Sequence, residues 1–163
     1  MYHPHHRTAD LPFALALTPC PNGGTELHAE LEKIRADGFG HVVSLLEPDE
    51  AAALGLAAEA GACQARGIRF HHLVVRDGSI PSFAAYVAFM DALAKALNDQ
   101  HGLLVHCRHG IGRTSLVVIG LLLRKGWSYT DAAELASKAR GAILPATAPQ
   151  RRLLMAYAAQ VGV

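Results

Sequence analysis

Short apolar runs alternate with amphipathic stretches along most of the chain, a pattern that predicts strands alternating with helices. Four of the apolar runs have the length of buried strands and are bounded by Gly, Pro, Asn or Asp. We place these strands at Phe13–Leu17, His41–Leu46, Ile68–Val75 and Leu103–His106. Because helical segments separate the strands, we expect an α/β fold with a central, mostly parallel sheet of about four or five strands, flanked by helices on both faces.

The helical segments carry apolar residues at three- and four-residue spacing and have capping residues or glycines at their ends. Glu47-Pro48-Asp49-Glu50 has the composition of a helix opening. The alanine-rich segment that follows is expected to break near Gly55 or Gly61. We place the helices at Glu26–Asp37, Ala51–Arg66, Ser82–Leu97, Arg113–Lys125, Thr130–Lys138 and Pro149–Gln160.

The length of 163 residues is that of a single domain, and neither an internal repeat nor a long linker divides the chain. Residues 1–10 are polar and rich in histidine, which predicts a flexible N-terminal tail. We therefore expect one folded domain at residues 11–163. Hydrophobic residues make up 51% of the chain and charged residues 18%, enough apolar material for a full core.

Charge and cysteine content exclude several classes of protein. The formal net charge of +1 gives no global attraction for nucleic acid or for an anionic membrane. The three cysteines are odd in number and widely spaced, which favours a reducing, cytoplasmic setting over a disulfide framework or a zinc site.

The run Leu11–Leu17 is too short for a leader, and Leu116–Leu123 is too short to span a bilayer. We expect a soluble protein without a metal or other cofactor.

The segment from His106 to Thr114 reads HCRHGIGRT and joins a predicted strand to a predicted helix. The glycines at 110 and 112 allow the backbone to bend sharply, so that successive N–H groups converge at the start of the helix. Such a concavity binds anions, and phosphate above all. The sequence therefore predicts a phosphate-binding loop between strand and helix.

Three side chains in this loop suit phosphoryl transfer. The field that attracts phosphate also favours a thiolate at Cys107, which is then placed for in-line attack on phosphorus. Arg113 supplies a planar fork that matches two phosphoryl oxygens and follows them into the transition state. The hydroxyl of Thr114 is expected to hydrogen-bond the thiolate and to ease its later departure.

The nine residues resemble the H-C-x-x-G-x-G-R-T signature of the cysteine-dependent protein tyrosine phosphatases. The segment Phe70–Pro81 is similar to the general-acid loop of the dual-specificity branch, and most resembles the kinase-associated phosphatase group. The resemblance implies a tyrosine-phosphatase-like fold and identifies Asp77, 30 residues before Cys107, as the general acid. An acid within reach is chemically needed because cleavage leaves an alkoxide or phenoxide.

The resemblance also assigns roles to other residues of the loop and its surroundings. Arg108 and His109 occupy variable positions whose side chains face the substrate, and Gly110, Ile111 and Gly112 complete the phosphate loop with Arg113. His106 is expected to support the loop from behind by donating a hydrogen bond to its backbone. Three features depart from the group's pattern, one of which is that Pro19-Cys20-Pro21-Asn22-Gly23 replaces its Pro-Gly after the first strand. Ser137 stands where a partner arginine of Arg140 is expected, and Gln150 is either a water-orienting glutamine or a helix-cap residue at the surface.

These observations leave three functions open. The first is a protein phosphatase that hydrolyses phosphotyrosine, and also phosphoserine and phosphothreonine, because no aromatic residue upstream of Asp77 is placed to build a deep slot. The second is an inositol phosphate or phosphoinositide phosphatase, although such relatives tend to carry lysines inside the loop. The third is a pseudophosphatase that binds phosphopeptides without turnover. The expected partner is thus a phosphorylated protein or a small phosphomonoester.

Overall fold

The computed structural model describes residues 14–97 and 100–163. The predicted tail at residues 1–10 and the predicted strand start at Phe13 lie outside the described residues. In the described part of the chain, no helix is long and apolar enough to cross a membrane.

The described residues form four strands and seven α-helices, and at least one helix lies between each strand and the next. The strands are β1 Leu15–Pro19, β2 Phe39–Ser44, β3 Arg69–His72 and β4 Gly102–Cys107. The helices are α1 Leu27–Ala36, α2 Pro48–Ala53, α3 Glu59–Gln64, α4 Phe83–Ala96, α5 Gly112–Arg124, α6 Tyr129–Arg140 and α7 Ala148–Val161. A single 3₁₀ turn, Gly24–Glu26, precedes α1.

The strands form one sheet in the order β1-β4-β2-β3, and every pairing is parallel. The α/β class and the parallel sheet are thus confirmed. The edge strand β3 is shorter than its apolar run, since only Arg69–His72 is regular strand. Beyond it the chain keeps contact through the N–H groups of Leu73 and Val75, which donate to the carbonyl oxygens of Ser44 and Leu45 at 3.1 and 3.3 Å. This exit carries the chain toward Asp77.

Each face of the sheet has its own hydrophobic core. One face packs against α4, α5, α6 and α7, with Val105 and Cys107 of β4 in that core. The other face packs against α1 and α3, with Leu104 of β4 opposite Leu31 and Cys63. Strand β4 is buried along its whole length because it lies inside the sheet and between these two layers.

The predicted helix Ala51–Arg66 is two helices, and the break lies at Gly55. This residue has a φ of +71°, which favours glycine. Its carbonyl accepts a hydrogen bond from the N–H of Gly24 at 2.8 Å, and a side chain at Gly55 would meet the Gly24 backbone. The break thus lets the turn after β1 pack against the segment between α2 and α3.

Candidate active site

The predicted nucleophile lies at the end of the central strand β4. Cys107 is its last residue and is 3% exposed, and α5 begins five residues later at Gly112. The N–H of Gly110 donates to Cys107 Sγ at 3.3 Å. A backbone donor at this distance stabilises a thiolate, so the loop already presents one of the N–H groups that the sequence pattern predicts.

The curvature of this loop depends on Gly110. Its φ is +66°, and a Cβ added there would collide with the backbone of Thr18 and Pro19 at the end of β1. Glycine is therefore required both by the backbone conformation and by the close approach of a neighbouring strand. Arg108 and His109, the two residues before it, are exposed, in keeping with side chains that face the substrate.

Arg113 is buried at the start of α5 and is held by several acceptors. Its two terminal nitrogens donate to the Glu50 carboxylate at 2.7 and 2.8 Å, in a bidentate pair. Nη1 also donates to the carbonyl oxygen of Val75 at 3.1 Å. The remaining donor, Nε, is buried and has no hydrogen-bond partner among the described residues. A buried donor without a partner is costly, and an anion in the loop would satisfy it.

Glu50, which the sequence motifs did not identify, reaches Arg113 from the first turn of α2. Its side chain also accepts the N–H of Glu47 at 3.4 Å, which completes a capping box at the start of that helix. The hydrogen bond from Arg113 holds the pKa of Glu50 below its ordinary value, despite the opposing effect of burial. The predicted helix opening at Glu47–Glu50 is correct, but nothing in its local pattern signals a partner in the phosphate loop.

The predicted general acid lies beside the predicted phosphate clamp. Asp77 Oδ1 is 3.3 Å from Arg113 Nη2, and the Asp77 side chain is 65% exposed. The loop after β3 and the loop after β4 therefore meet at the same edge of the sheet, as expected for parallel strands. An exposed carboxyl group here can reach the leaving oxygen of a phosphoryl group bound by Arg113.

The hydroxyl of Thr114 makes a different contact from the predicted one. It donates its single proton to the carbonyl oxygen of Ile111 at 3.1 Å, as a residue in the first turn of a helix commonly does. The neighbouring Ser115 hydroxyl donates in the same way to the carbonyl of Gly112 at 2.6 Å. Both hydroxyls therefore brace the turn from loop to α5, and a bond to the thiolate requires Thr114 to rotate.

Arg140 on α6 anchors the loop from the other side, whereas Ser137 on the same helix has different partners. Arg140 donates from Nε to the carbonyl of Gly110 at 2.7 Å and from Nη2 to that of His109 at 2.9 Å. Ser137 accepts the N–H of Leu144 at 2.9 Å and so fixes the segment between α6 and α7. The serine that replaces the expected second arginine thus holds a neighbouring connection rather than the loop itself.

Gln150 is a helix-cap residue, which is one of the two roles predicted from the sequence, but it is buried and not at the surface. It completes a capping box with Thr147 at the start of α7, and it is only 2% exposed. A Cβ placed on Gly112 would lie 2.8 Å from Gln150 Nε2, so the amide sits directly against the start of α5. The cap and the position beside the phosphate loop are compatible, because the cap uses Oε1.

His106 contacts a carboxylate instead of the loop backbone, which corrects the predicted contact. Its Nε2 lies 2.8 Å from Glu59 Oε1, and both side chains are buried. Glu59 begins α3 on the opposite side of the sheet from α5. The His106 ring is therefore held by a glutamate that the sequence motifs did not identify.

Comparison with known proteins places this site in a phosphatase context. The model of a family described as "Polymorphic toxin system, DSP-PTPase phosphatase" matches residues 19–127, which include both Asp77 and the phosphate loop. A human protein, cyclin-dependent kinase inhibitor 3, is 39% identical over 57 residues, 35% of this chain and 27% of that protein. The match therefore spans about a quarter of the length of that relative.

Solved structures share the whole fold. A kinase-associated phosphatase carrying serine in place of its catalytic cysteine has a TM-score of 0.76 at 22% identity, over 93% of this chain and 88% of the other. PTPMT1 in complex with PI(5)P has a TM-score of 0.75 at 19% identity, over 90% and 91%. At 22% and 19% identity these likenesses show the fold alone. They confirm the tyrosine-phosphatase-like architecture that is expected from the sequence.

Proposed function

The chain belongs to the DSP-PTPase phosphatase family of polymorphic toxin systems, and from this membership we propose that it hydrolyses phosphate monoesters through a cysteinyl-phosphate intermediate. Cys107 is the nucleophile, Arg113 the phosphate clamp and Asp77 the general acid. The observation that carries the proposal is the convergence of these residues. Arg113 lies in the first turn of the helix that follows the Cys107 loop, and its Nη2 is 3.3 Å from Asp77 Oδ1, although 36 residues separate them along the chain.

In the first step, the Cys107 thiolate attacks phosphorus and the bond from phosphorus to the ester oxygen breaks. Asp77 gives its proton to the departing oxygen, so that an alcohol or phenol leaves rather than its anion. The Nε–H of Arg113 and the N–H groups of the loop bind the equatorial oxygens, whose charge is best stabilised in the transition state. Glu50 keeps the guanidinium oriented throughout, because it occupies the two terminal nitrogens.

In the second step, water attacks the phosphocysteine and Asp77, now a carboxylate, accepts its proton. The sulfur–phosphorus bond breaks, the Cys107 thiolate is restored and inorganic phosphate is released. Gln150 Nε2 is proposed to orient this water, since the amide lies against Gly112 at the edge of the loop. Rotation of Thr114 toward sulfur is proposed to stabilise the departing thiolate.

Hydrolysis of p-nitrophenyl phosphate tests the chemistry. The wild-type chain is expected to turn over, and Cys107→Ser is expected to abolish turnover while still binding phosphate, because a serine alkoxide is not accessible near neutral pH. Trapping of phosphate on Cys107, detected by mass spectrometry after rapid acid quench, would identify the intermediate directly. Turnover by Cys107→Ser at a rate near that of the wild type would refute the assignment.

The proposed substrates are phosphoproteins bearing phosphotyrosine, and also phosphoserine and phosphothreonine. The support is the scarcity of aromatic residues before Asp77, which leaves no material for a tall aromatic wall. Peptides that differ only in the phosphorylated residue provide the test. Cleavage of phosphotyrosine with no turnover of the other two above the Cys107→Ser background would contradict dual specificity.

A reducing cytoplasm is the proposed setting, supported by the absence of a disulfide among Cys20, Cys63 and Cys107.

A phosphoinositide or inositol phosphate is the second candidate substrate. Arg108 favours it, because this exposed cation lies in the phosphate loop and adds to the positive field that lowers the pKa of Glu50, after the larger effect of Arg113. A second phosphate group on the substrate would bind near the Arg108 guanidinium. Arg108→Ala is expected to raise KM for a phosphoinositide more than for p-nitrophenyl phosphate, and equal effects on both would remove this candidate.

A further inference from the structure

A buried carboxylate–imidazole pair lies directly behind the nucleophile. Glu59 Oε1 is 2.8 Å from His106 Nε2, and the two side chains are 3% and 0% exposed. His106 precedes Cys107 in β4, whereas Glu59 begins α3 on the far side of the sheet. The pair therefore links the residue next to the nucleophile to a helix in the opposite layer of the fold.

Glu59 is the only hydrogen-bond partner of the His106 ring among the described residues. The other ring nitrogen, Nδ1, is buried and has no partner there. A single contact thus determines how this ring is oriented. Burying a carboxylate is costly unless it is well paired, and an apolar residue would fill this position, next to Ala62 and Cys63, more cheaply.

The location of His106 explains what such a contact achieves. The carbonyl of His106 accepts the N–H of Leu45 at 3.1 Å, and this is where the described β2–β4 hydrogen bonding ends. From Arg108 onward the chain is loop, and its far portion is held by Arg140, which binds the carbonyls of His109 and Gly110. Glu59 anchors the near end in the corresponding way. The Gly110 N–H to Cys107 Sγ contact of 3.3 Å lies between the two anchors.

We propose that Glu59 is a positioning residue which, through His106, holds Cys107 Sγ against the Gly110 N–H. The inference rests on the proposed role of Cys107 as nucleophile. Without Glu59 the His106 ring has no hydrogen-bond partner, the near end of the loop shifts, and the thiolate loses its alignment with phosphorus. Misplacement of a reacting group by about 1 Å costs on the order of 10²-fold in rate.

Four variants separate this role from a general effect on stability. Glu59→Leu removes the acceptor, Glu59→Gln retains an acceptor oxygen at the same reach, and Glu59→Asp shortens the reach. Cys63→Ala is the matched control, because Cys63 is fully buried on the same helix and in the same core but makes no hydrogen bond to the His106 ring among the described residues. Each variant is assayed with p-nitrophenyl phosphate, and the rate at which iodoacetamide alkylates Cys107 is measured by peptide mass spectrometry.

For Glu59→Leu we expect kcat to fall by roughly 10–100-fold with KM changed by less than about threefold, because the loss is in transition-state alignment. Alkylation of Cys107 is expected to slow. Glu59→Gln should keep kcat and the alkylation rate near their wild-type values. For Glu59→Asp, both quantities should lie between those of the wild type and those of Glu59→Leu. Cys63→Ala is expected to lose thermal stability, as a small core truncation does, but to keep both kcat and the alkylation rate.

Unchanged kcat and alkylation in Glu59→Leu would overturn the proposal, as would equal losses in Cys63→Ala. Faster alkylation in Glu59→Leu would also overturn it, since Glu59 would then act as a repelling charge. If Glu59→Leu does not fold, Glu59→Asp against Glu59→Gln decides the question by the same two measurements. If the wild-type chain shows no turnover, the proposed function fails, while the alkylation rates still test the coupling between Glu59 and Cys107.

Discussion

A stacked histidine pair on the sheet is expected to make stability depend on pH. His41 of β2 and His71 of β3 have ring centroids 5.4 Å apart with planes inclined at 14°, and Nδ1 of the first is 3.1 Å from Nε2 of the second. His41 is only 2% exposed. Burial first, and then the positive charges of His71, Arg69 and His101, lower the pKa of His41 from 6.5 to about 4.

The sign and size of the effect follow from proton linkage. The unfolded chain takes up a proton at His41 below pH 6.5, whereas the folded chain resists it until about pH 4. Stability is therefore fully present above pH 6.5 and falls as the pH drops through this window, by about 3 kcal/mol in all at 1.36 kcal/mol per pKa unit. Between pH 7.5 and pH 5 the expected loss from this residue is about 2 kcal/mol.

Urea unfolding at pH 7.5 and pH 5 measures this loss. In His41→Asn, which keeps a polar side chain but does not titrate, the free energy of unfolding should decline by about 2 kcal/mol less than in the wild type. His28→Asn, on the exposed face of α1, should retain the wild-type decline. If His41→Asn and the wild type lose the same stability over this interval, the buried pair does not carry the pH dependence.

Further predictions concern the site itself. Asp77→Asn is expected to slow hydrolysis of alkyl and phenyl phosphates by roughly 10²–10⁴-fold, with a smaller defect for leaving groups of low pKa, and an equal defect for all leaving groups would mean that Asp77 is structural. Glu50→Gln should lower the free energy of unfolding in urea by about 2 kcal/mol, because the buried Arg113 guanidinium loses the charge of its partly buried partner, and a loss below about 0.5 kcal/mol would contradict the pairing. Arg113→Lys should impair turnover severely, since an ammonium group cannot pair with Glu50 through two nitrogens and also present a further donor to the phosphoryl oxygens in one fixed plane, and near-normal kcat would refute the clamp. Vanadate should inhibit and EDTA should not, whereas activity lost to EDTA and restored by a divalent metal would require a metal in the mechanism.

The parts of the site that lie close together in sequence were predictable. The loop from Cys107 to Arg113 is a strand end, a glycine turn and a helix start, and each of these has a local signature. The meeting of Asp77 with this loop was also predictable, because parallel strands bring their carboxyl ends to one edge of the sheet. The fold class followed from the same alternation of strands and helices.

The supporting carboxylates were not predictable, for a physical reason. Glu50 and Glu59 lie 63 and 47 residues before their partners Arg113 and His106, and each occupies an ordinary position in the first turn of a short helix. Acidic residues favour helix starts whether or not a partner exists, so the local pattern does not distinguish a surface cap from a buried ion pair. Which helix starts face the site depends on how the layers pack.

The proposed nucleophile and the proposed general acid belong to regions that are expected to open at different free-energy costs. Cys107 ends strand β4, which has a neighbouring strand on each side and a hydrophobic core on each face. The amide protons of this strand are therefore expected to exchange with solvent only when the domain unfolds globally. Asp77 follows the four-residue edge strand β3, where local fraying needs few contacts to break. Mild heating should therefore release the acid first. The population with a frayed edge would still attack aryl phosphates with good leaving groups while losing alkyl ones, so substrate range would narrow before total activity is lost.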